Sequence, residues 1–401
     1  MASAAAAASA APVARASASE TVTAATPVPE IQAPRGNGVA EFKSLAEAAT
    51  CKPKTAEVAN YLQKPGLGLA GRAADGTFAA VWLVELQKDP DAQIAFAGFD
   101  SEGRQVARAR GIGTTRYEGL RLIETGGAWS VSWFDAEGLT HTRPRWEAVP
   151  APEIQRLAAV GHEGSENVAV ASTPAGALVA AAPFGPQRDQ LGVFLFASSD
   201  PSQPTVKAVG VTHHAKLPRR PSVAADAKGY FVAWHEEDGS IRASRFDLAG
   251  KETDAHVVAP EGPSRERVAL VPTGAGAIAL WSEGETLVAR ALDGEARPAA
   301  LPWVVGKGKW SVFTPAGEGA LVGWVGHDGK SEAQVLVARL SSEGKPSAQG
   351  LRVSDGVMPV KDPLAMAVAG SRVGLTWTEG VSPRVSSKRA LLRLLDAACI
   401  P

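Results

Sequence analysis

Short apolar runs separated by polar turns recur from residue 66 to the end of the chain. Each unit begins with a turn that contains Gly and continues as an apolar run that ends on Trp. A loop with an acid follows, and then a second run that often closes on an Asp and Gly turn. Residues 221–259 divide into four strands, SVAA, YFVAW, SIRASRF and DAHVVA, joined by three hairpin turns. The pattern predicts a repeated four-stranded antiparallel unit.

The Trp positions set the period of the repeat. Seven anchor positions lie 43 to 53 residues apart: Trp82, Trp133, Ala181, Trp234, Trp281, Trp324 and Trp377. A period of that length, with four short strands per unit, is typical of β-propeller blades. We therefore expect an all-β fold, a seven-bladed β-propeller of four-stranded antiparallel blades. Each Trp should occupy an equivalent position in the second strand of its blade.

Neighbouring blades should cover both faces of each second strand. In YFVAW the residues Tyr230, Val232 and Trp234 face one side, while Phe231 and Ala233 face the other. Since both faces are apolar, we interpret the Trp residues as packing between blades rather than as platforms on which a sugar stacks.

The third unit departs from this pattern. Ala181 stands where the other units have Trp, which predicts a thinner interface at the third blade. Phe184, Phe194 and Phe196 are the candidates to repack and fill it.

The two ends of the repeat region predict how the ring closes. The seventh unit supplies three strands, whereas the segment between residues 50 and 66 has no place in the first unit. We expect this segment to form the outer strand of the last blade. Cys51 and Cys399 lie at the same two ends, so a disulfide between them would latch the ring in an oxidising compartment. The alternative is two unpaired thiols in a cytosolic chain.

The N-terminal region has a different composition. Residues 1–38 are rich in Ala, Ser, Thr and Pro and predict a disordered tail. Residues 39–50 have helical spacing of Phe42, Leu45 and Ala49 and predict a short helix, so the propeller would occupy residues 51–401. The tail favours an exported protein whose signal or lipid anchor lies outside this sequence, with a cytosolic tail as the alternative.

Charge and hydropathy exclude several classes of protein. The 41 Lys and Arg residues balance 42 Asp and Glu residues, which leaves no electrostatic basis for nucleic-acid or acidic-membrane binding. No run approaches 18 apolar residues, so no membrane span is predicted. No cofactor and no metal is predicted either. The GLGLAG sequence at 66–71 leads into a hairpin strand instead of a helix, and the adjacent His213 and His214 point to opposite sides of an extended segment.

Acids and bases alternate on one predicted face of the propeller. Acids stand two residues beyond the anchor position at Asp135, Glu236, Glu283 and Glu379. Blade-to-blade loops on the same face carry the bases Arg108, Arg110, Arg116, Lys216, Arg219, Arg220, Arg265, Arg267, Lys307 and Lys309. In one interpretation each acid pairs with a base of the adjacent blade. In the other, the basic loops form an anion-attracting mouth, with Arg110, Arg219 and Arg267 pointing towards a central depression.

The blade pattern resembles that of secreted bacterial β-propeller repeat proteins of the myxobacterial type, with DAKGYFVAWHEEDGSIRASRFDLAG as the best match. The resemblance covers about residues 66–398, and it implies an extracytoplasmic propeller without indicating an activity. The second and third units are degenerate, and the arginine that usually follows the acid is mostly absent.

Two classes of function follow. The first is a noncatalytic module that binds or scaffolds a glycan or protein on its loop face. The second is a carbohydrate-active hydrolase or lyase that uses two loop-face carboxylates, or an acid with Tyr117, as acid and base. The candidate ligand-binding residues are Arg110, Arg116, His213, His214, Arg219, Arg220, Arg265, Arg267, Glu236 and Glu283.

Overall fold

The computed structural model describes residues 34–48, 51–62, 66–85, 91–115, 120–135, 138–146, 154–157, 168–173, 178–184, 190–197, 205–211, 219–262, 265, 268–327, 333–355, 360–382 and 385–401. Strands dominate these residues, and they form seven sheets. Each sheet has four antiparallel strands, and one of them gains a fifth strand that runs parallel to its neighbour.

The first three blades use consecutive strands. Blade 1 comprises β3 (Leu67–Arg72), β4 (Thr77–Glu85), β5 (Ala92–Phe99) and β6 (Gln105–Thr115). Blade 2 comprises β7 (Arg121–Thr125), β8 (Ala128–Asp135), β9 (Gly138–Thr142) and β10 (Ile154–Leu157). Blade 3 comprises β11 (Ala169–Ser172), β12 (Leu178–Phe184), β13 (Gln190–Ala197) and β14 (Thr205–Val211).

The last four blades complete the ring. Blade 4 comprises β15 (Arg219–Asp226), β16 (Gly229–His235), β17 (Ile241–Asp247) and β18 (His256–Ala259), and blade 5 comprises β19 (Ala269–Pro272), β20 (Ala277–Glu283), β21 (Thr286–Leu292) and β22 (Trp303–Lys307). Blade 6 comprises β23 (Lys309–Ala316), β24 (Gly319–Gly326), β25 (Gln334–Leu340) and β26 (Gln349–Arg352), with β1 (Glu41–Ser44) as its fifth strand. Blade 7 comprises β27 (Val360–Ala369), β28 (Arg372–Ser382), β29 (Val385–Asp396) and β2 (Lys54–Leu62).

The first strand of each blade contacts the first strands of both neighbouring blades. This series runs from β3 through β7, β11, β15, β19, β23 and β27 and returns to β3. The predicted seven-bladed propeller is therefore confirmed, with the first strands innermost and the fourth strands at the rim.

Ring closure also follows the prediction. Strand β2 lies antiparallel to β29, with Lys54 opposite Leu394, so the N-terminal segment supplies the outer strand of blade 7. Cys51 and Cys399 form a disulfide with their Cα atoms 5.5 Å apart, within the normal range for such a bond.

Side chains of the second strands point alternately to the preceding and to the following blade, as predicted. Tyr230, Val232 and Trp234 contact blade 3, while Phe231 and Ala233 contact blade 5. The six anchor Trp residues all lie in second strands and are at most 4% exposed. Their interpretation as interblade packing is confirmed.

The anchor position assigned to blade 3 is wrong by one residue. The anchor Trp of every other blade faces the preceding blade, but Ala181 faces blade 4 and packs with Trp234. Ala182 has the orientation of the missing Trp, because it packs with Leu139 of blade 2. A shift of one residue reverses the face on which a strand side chain lies. Phe194 fills this interface beside Ala182, whereas the side chains of Phe184 and Phe196 lie outside the described part.

The helix predicted for 39–50 is also wrong. Glu41–Ser44 is strand β1, which pairs with β26 along Gln349–Arg352, and a turn follows at 45–47. Helical spacing is a local signal, and the open edge of blade 6 offers the backbone better partners. Residues 34–38 of the predicted tail lie beside blade 5, where the Arg35 amide donates to Pro302 O over 2.8 Å. The prediction for residues 1–33 falls outside the described residues.

A repeated turn explains why Asp and Gly recur in the sequence between the third and fourth strands of the blades. Asp100, Asp247 and Asp293 each end a third strand or follow it directly, and each Oδ1 accepts the backbone N–H groups two and four residues later, all at 2.9 Å. Gly103 and Gly250 follow with φ of 80° and 85°, a region that costs other residues energy. The turns link third to fourth strands at the end of the propeller opposite the loop face.

Candidate ligand-binding face

Three blades carry the same Trp-x-Glu arrangement at the loop face. Residues two apart on a strand lie on the same side, which places each carboxylate beside the indole of its anchor Trp. The indole N–H groups donate to the carboxylates over 2.6, 3.1 and 3.3 Å in the pairs Trp234–Glu236, Trp281–Glu283 and Trp377–Glu379. These acids are therefore held against the blade interface.

Each of the same three carboxylates also pairs with an arginine. Glu283 Oε1 accepts hydrogen bonds from Arg265 Nε and Nη2 at 3.0 and 2.9 Å. Glu379 Oε1 accepts two from Arg389, at 2.9 and 2.6 Å. Glu236 forms a longer ion pair, at 3.7 Å, with the third arginine, Arg242.

The origin of these arginines was only partly predicted. Arg265 belongs to the connection between blades 4 and 5, as expected for a base from a blade-to-blade loop. Arg242 and Arg389 come instead from the third strand of the same blade as their acid. The sequence signal for the indole contact, an acid two residues after Trp, was present, but its link to the indole was missed.

Arg265 joins two blades. Its Nη1 atom donates to Gly239 O over 3.0 Å, in the turn that follows β16, and to Pro260 O. Together with the Glu283 contact, these bonds connect the loop ends of blades 4 and 5. The side chain is 5% exposed, so most of its surface is already in contact with protein.

Arg219 and Arg220 begin the innermost strand of blade 4. Arg219 lies opposite His235 in the strand register and is exposed, and its side chain forms no hydrogen bond or ion pair with any residue that the structure describes. Arg220 has a φ of 49° in an irregular stretch of the pairing between Arg219 and Ser222, and its Nη1 reaches Arg265 O at 3.4 Å. A positive φ at a residue with a side chain is uncommon and occurs often at functional sites.

The expected central position of Arg110 is wrong. Arg110 lies opposite Phe96 on β6, the outermost strand of blade 1, and Arg108 lies on the same strand. Strand β6 begins soon after the turn at Asp100 and extends over 11 residues, so these bases belong to the rim and not to a loop near the axis.

The structure brings together five of the ten candidate residues, at the loop ends of blades 4 and 5: Arg219, Arg220, Arg265, Glu236 and Glu283. The other candidates, apart from Arg110, fall outside the described residues: Arg116, His213, His214 and Arg267.

A second polar cluster, at the opposite end of the propeller, was not predicted. Trp129 and Trp146 stack with their ring centroids 5.8 Å apart, and the Arg72 guanidinium lies 5.1 and 5.3 Å from them. Hydrogen bonding from Arg72, supported by Thr77, lowers the pKa of Asp75 to about 2. Gly98 leaves room for the Trp146 ring, which a Cβ atom there would approach to 2.8 Å. The cluster joins blades 1 and 2.

Two further properties bear on function. Among the described residues, no group of three or more His, Cys, Asp or Glu side chains is arranged to hold a metal ion. The described part also contains no helix with the length and apolarity needed to cross a membrane.

Comparisons with known proteins support the fold alone. No protein-family model matches the sequence, and no curated protein matches it either. The BP39L lectin of Burkholderia pseudomallei has a TM-score of 0.53 and is 13% identical, with 84% of this chain and 97% of that chain covered. The GH93 α-L-arabinofuranosidase of Fusarium graminearum has a TM-score of 0.46 at 10% identity, with 86% and 98% covered.

A prolyl endopeptidase structure has a TM-score of 0.49 at 16% identity. That match covers 86% of this chain, which spans about half, 48%, of the endopeptidase. The structural neighbours therefore include a sugar-binding class and hydrolases, on a scaffold that serves many functions.

Proposed function

We propose that this protein is a noncatalytic, extracytoplasmic binding module that takes a glycan or protein ligand on its loop face. The observation that carries the proposal is the contrast between tied carboxylates and an unpaired base. Glu236, Glu283 and Glu379 each accept an indole N–H and face an arginine, whereas Arg219 is exposed and lacks a partner among the described residues.

The unpaired Arg219 favours an anionic ligand. Arg242 and Arg265 each face a carboxylate, that of Glu236 and that of Glu283, whereas the exposed side chain of Arg219 has no partner among the described residues. A guanidinium group presents two parallel donors to a carboxylate or sulfate. A glycan with carboxylate or sulfate groups is the ligand class that fits best, and the similarity in fold to a lectin agrees with it.

The disulfide supports the proposed location. Disulfides form and persist in oxidising compartments and are rare in the cytosol. The Cys51–Cys399 bond joins the two ends of the propeller and is therefore part of its closure. We infer an extracytoplasmic protein, in agreement with the secreted propellers that the repeat resembles.

The test is a glycan array followed by titration of the best ligand at several salt concentrations. The variant Arg219→Gln/Arg220→Asn removes both charges, and Asn tolerates the positive φ at position 220. We expect binding of an acidic glycan to weaken roughly tenfold at low salt, and the loss to shrink as salt rises. The control Arg104→Gln removes a 77% exposed base from the opposite end of the propeller and should leave binding unchanged. Equal losses in both variants, or no acidic ligand on the array, would contradict the proposal.

Catalysis by the loop-face carboxylates is the alternative function, and a second experiment, incubation with a polysaccharide ligand, distinguishes it from binding. A hydrolase or lyase would shorten a bound polysaccharide during incubation, and Glu283→Gln would prevent the shortening. A binding module leaves the chain length of the polysaccharide unchanged, which size-exclusion chromatography measures directly.

A further inference from the structure

Residues 34–48 run along the outside of blades 5 and 6. Arg35 forms a parallel bridge to Trp303 at the rim of blade 5, with Val304 N donating to Arg35 O over 3.0 Å. The amide of Val39 donates to Val305 O over 2.9 Å, and β1 then pairs with β26 as the fifth strand of blade 6. This segment makes backbone contacts with both blades.

An aromatic side chain anchors the segment to blade 6. The Phe42 ring meets the anchor Trp324 edge-on, with centroids 5.6 Å apart. It occupies the space over Gly350, where a Cβ atom would lie 2.6 Å from the ring. Gln349 adds a hydrogen bond of 2.9 Å to Glu41. A glycine on β26 thus provides the hole that Phe42 fills.

The two N-terminal strands, β1 and β2, lie at the outer edges of two neighbouring blades, 6 and 7. Among the described residues, β1 pairs only with β26, and β2 pairs only with β29. The chain between them contains Cys51, which is 5% exposed and bonded to Cys399. The region around Cys399 is in turn tied to blade 6, because Arg339 Nη2 donates to Ala397 O over 2.9 Å. The disulfide therefore fixes the chain at a point between the two edge strands, close to the start of β2.

We propose that residues 34–48 and 51–62 form a redox-gated strap over blades 5, 6 and 7. With the disulfide intact, an opening that begins at β1 or at β2 cannot spread past Cys51. Each of the two strands therefore opens independently of the other. After reduction the two strands open as one unit and uncover β26 and β29. The remaining blades stay closed, because the innermost strands β27 and β3 still contact each other.

The reductant is an external dithiol. Its thiolate attacks the sulfur of Cys399, the more exposed partner, and the bond to Cys51 breaks as Cys51 leaves as a thiolate that takes up a proton. The second thiol then displaces Cys399. The dithiol is oxidised to its own disulfide, and the two cysteines receive its two electrons as thiols.

Amide hydrogen exchange on the full chain, with and without dithiothreitol, tests the strap. Reduction should accelerate exchange in both β1 and β2 by about tenfold or more, while β16 and β20 keep their protection. The Cys51→Ser/Cys399→Ser variant should reproduce the reduced pattern without reductant. Unchanged exchange in β1 and β2 after reduction, or an equal loss of protection in all blades, would overturn the proposal.

The variant Phe42→Ala separates gating from general loosening. In the oxidised protein it should accelerate exchange in β1 alone, by about tenfold, because the aromatic anchor is lost. In the reduced protein the same variant should accelerate β1 and β2 together. The control Val257→Ala, at a 38% exposed position on the rim of blade 4, should change neither strand. An effect of Phe42→Ala confined to β1 in both redox states would overturn the coupling.

Discussion

Blades 2 and 5 share one strand plan but differ in what they bury. Blade 5 buries an almost wholly apolar set, with Trp281 packed against Phe231 of blade 4. The buried side chains of blade 2 include six polar ones, Thr125, Ser130, Ser132, Thr140, His141 and Thr142. Two pairs satisfy each other there, Thr125 with Ser130 at 2.6 Å and Ser132 with His141 at 3.3 Å. A blade interior can thus be filled with hydrogen-bonded pairs, but of these two blades only the polar one buries a histidine, whose pKa in an unfolded chain lies near 6.5.

The apolar side of this comparison predicts the largest effect. Trp281→Ala should lower the free energy of unfolding by about 4 kcal/mol, because it removes a 2% exposed ring and leaves a cavity between blades 4 and 5. Denaturant unfolding followed by circular dichroism measures the change. Trp303→Ala, a partly exposed Trp on the rim of the same blade, is the control and should cost clearly less. Equal costs would mean that the anchor position has no special packing role.

The interface between blades 2 and 3 provides the next test. Phe194→Ala should destabilise the protein by about 3 kcal/mol, since the ring fills the space beside Ala180 and Ala182 where other blades have Trp. Phe313→Ala, at a partly exposed position on β23, is the matched control and should cost less. A negligible cost for Phe194→Ala would show that this interface is not closed by the third strand.

The polar interior of blade 2 predicts a pH dependence. Burial, with a contribution from the nearby Arg143 charge, lowers the pKa of His141 to about 4. The unfolded chain, with a histidine pKa near 6.5, binds the proton more readily between these values. Stability should therefore fall by roughly 2–3 kcal/mol as the pH drops from 6.5 to 4, and no further below that.

Denaturant titrations at several pH values measure this slope. His141→Gln should remove most of it, whereas His327→Gln, at an exposed position, should leave it intact. An unchanged slope in the His141 variant would assign the pH dependence to other groups.

The smallest effect concerns the Asp-capped turns of blades 4 and 5. Blade 4 has Gly250 at a φ of 85°, whereas blade 5 has Ala296 at 62°, buried in the interface with blade 4. Gly250→Ala should cost about 1 kcal/mol, because its Cβ is strained in the left-handed region. The control is Gly274→Ala, which has open space around its Cβ and should be nearly neutral. A thermal melt of both variants measures the difference.

The sequence predicts the ring better than its edges. Seven evenly spaced anchors follow from packing that repeats in each blade, so a single alignment on Trp was sufficient to find them. The error at Ala181 arose because the units were aligned by residue type alone. Such an alignment does not take into account the face of the strand on which each side chain lies. The pairing of β1 with β26 was missed because Phe42 sits in a helical pattern, and Gly350, which the Phe42 ring covers, lies more than 300 residues away. Nothing local in the sequence indicates such a contact.

The candidate site was predicted in its composition but not in its contacts. The acids after Trp were identified, whereas the indole bond that fixes them depends on strand geometry that was applied only to the apolar residues. Arg110 was misplaced because strand length cannot be read from charge alone. Arg219 and Arg220 were predicted in the loop that leads to the first strand of blade 4, and the structure makes them the first two residues of that strand.

The bond between Cys51 and Cys399 also makes the propeller a covalently closed ring. Force applied through residues 34 and 401 would first load the pairing of β1 with β26 and, once β1 detaches, would pass directly across the two sulfur atoms instead of through the strands enclosed between them. The two cysteines are separated by 348 positions in the sequence, which amounts to about 1,200 Å of extensible chain that stays enclosed until the bond is reduced. In mechanical terms the protein is a short rigid link when oxidised and a long extensible one when reduced.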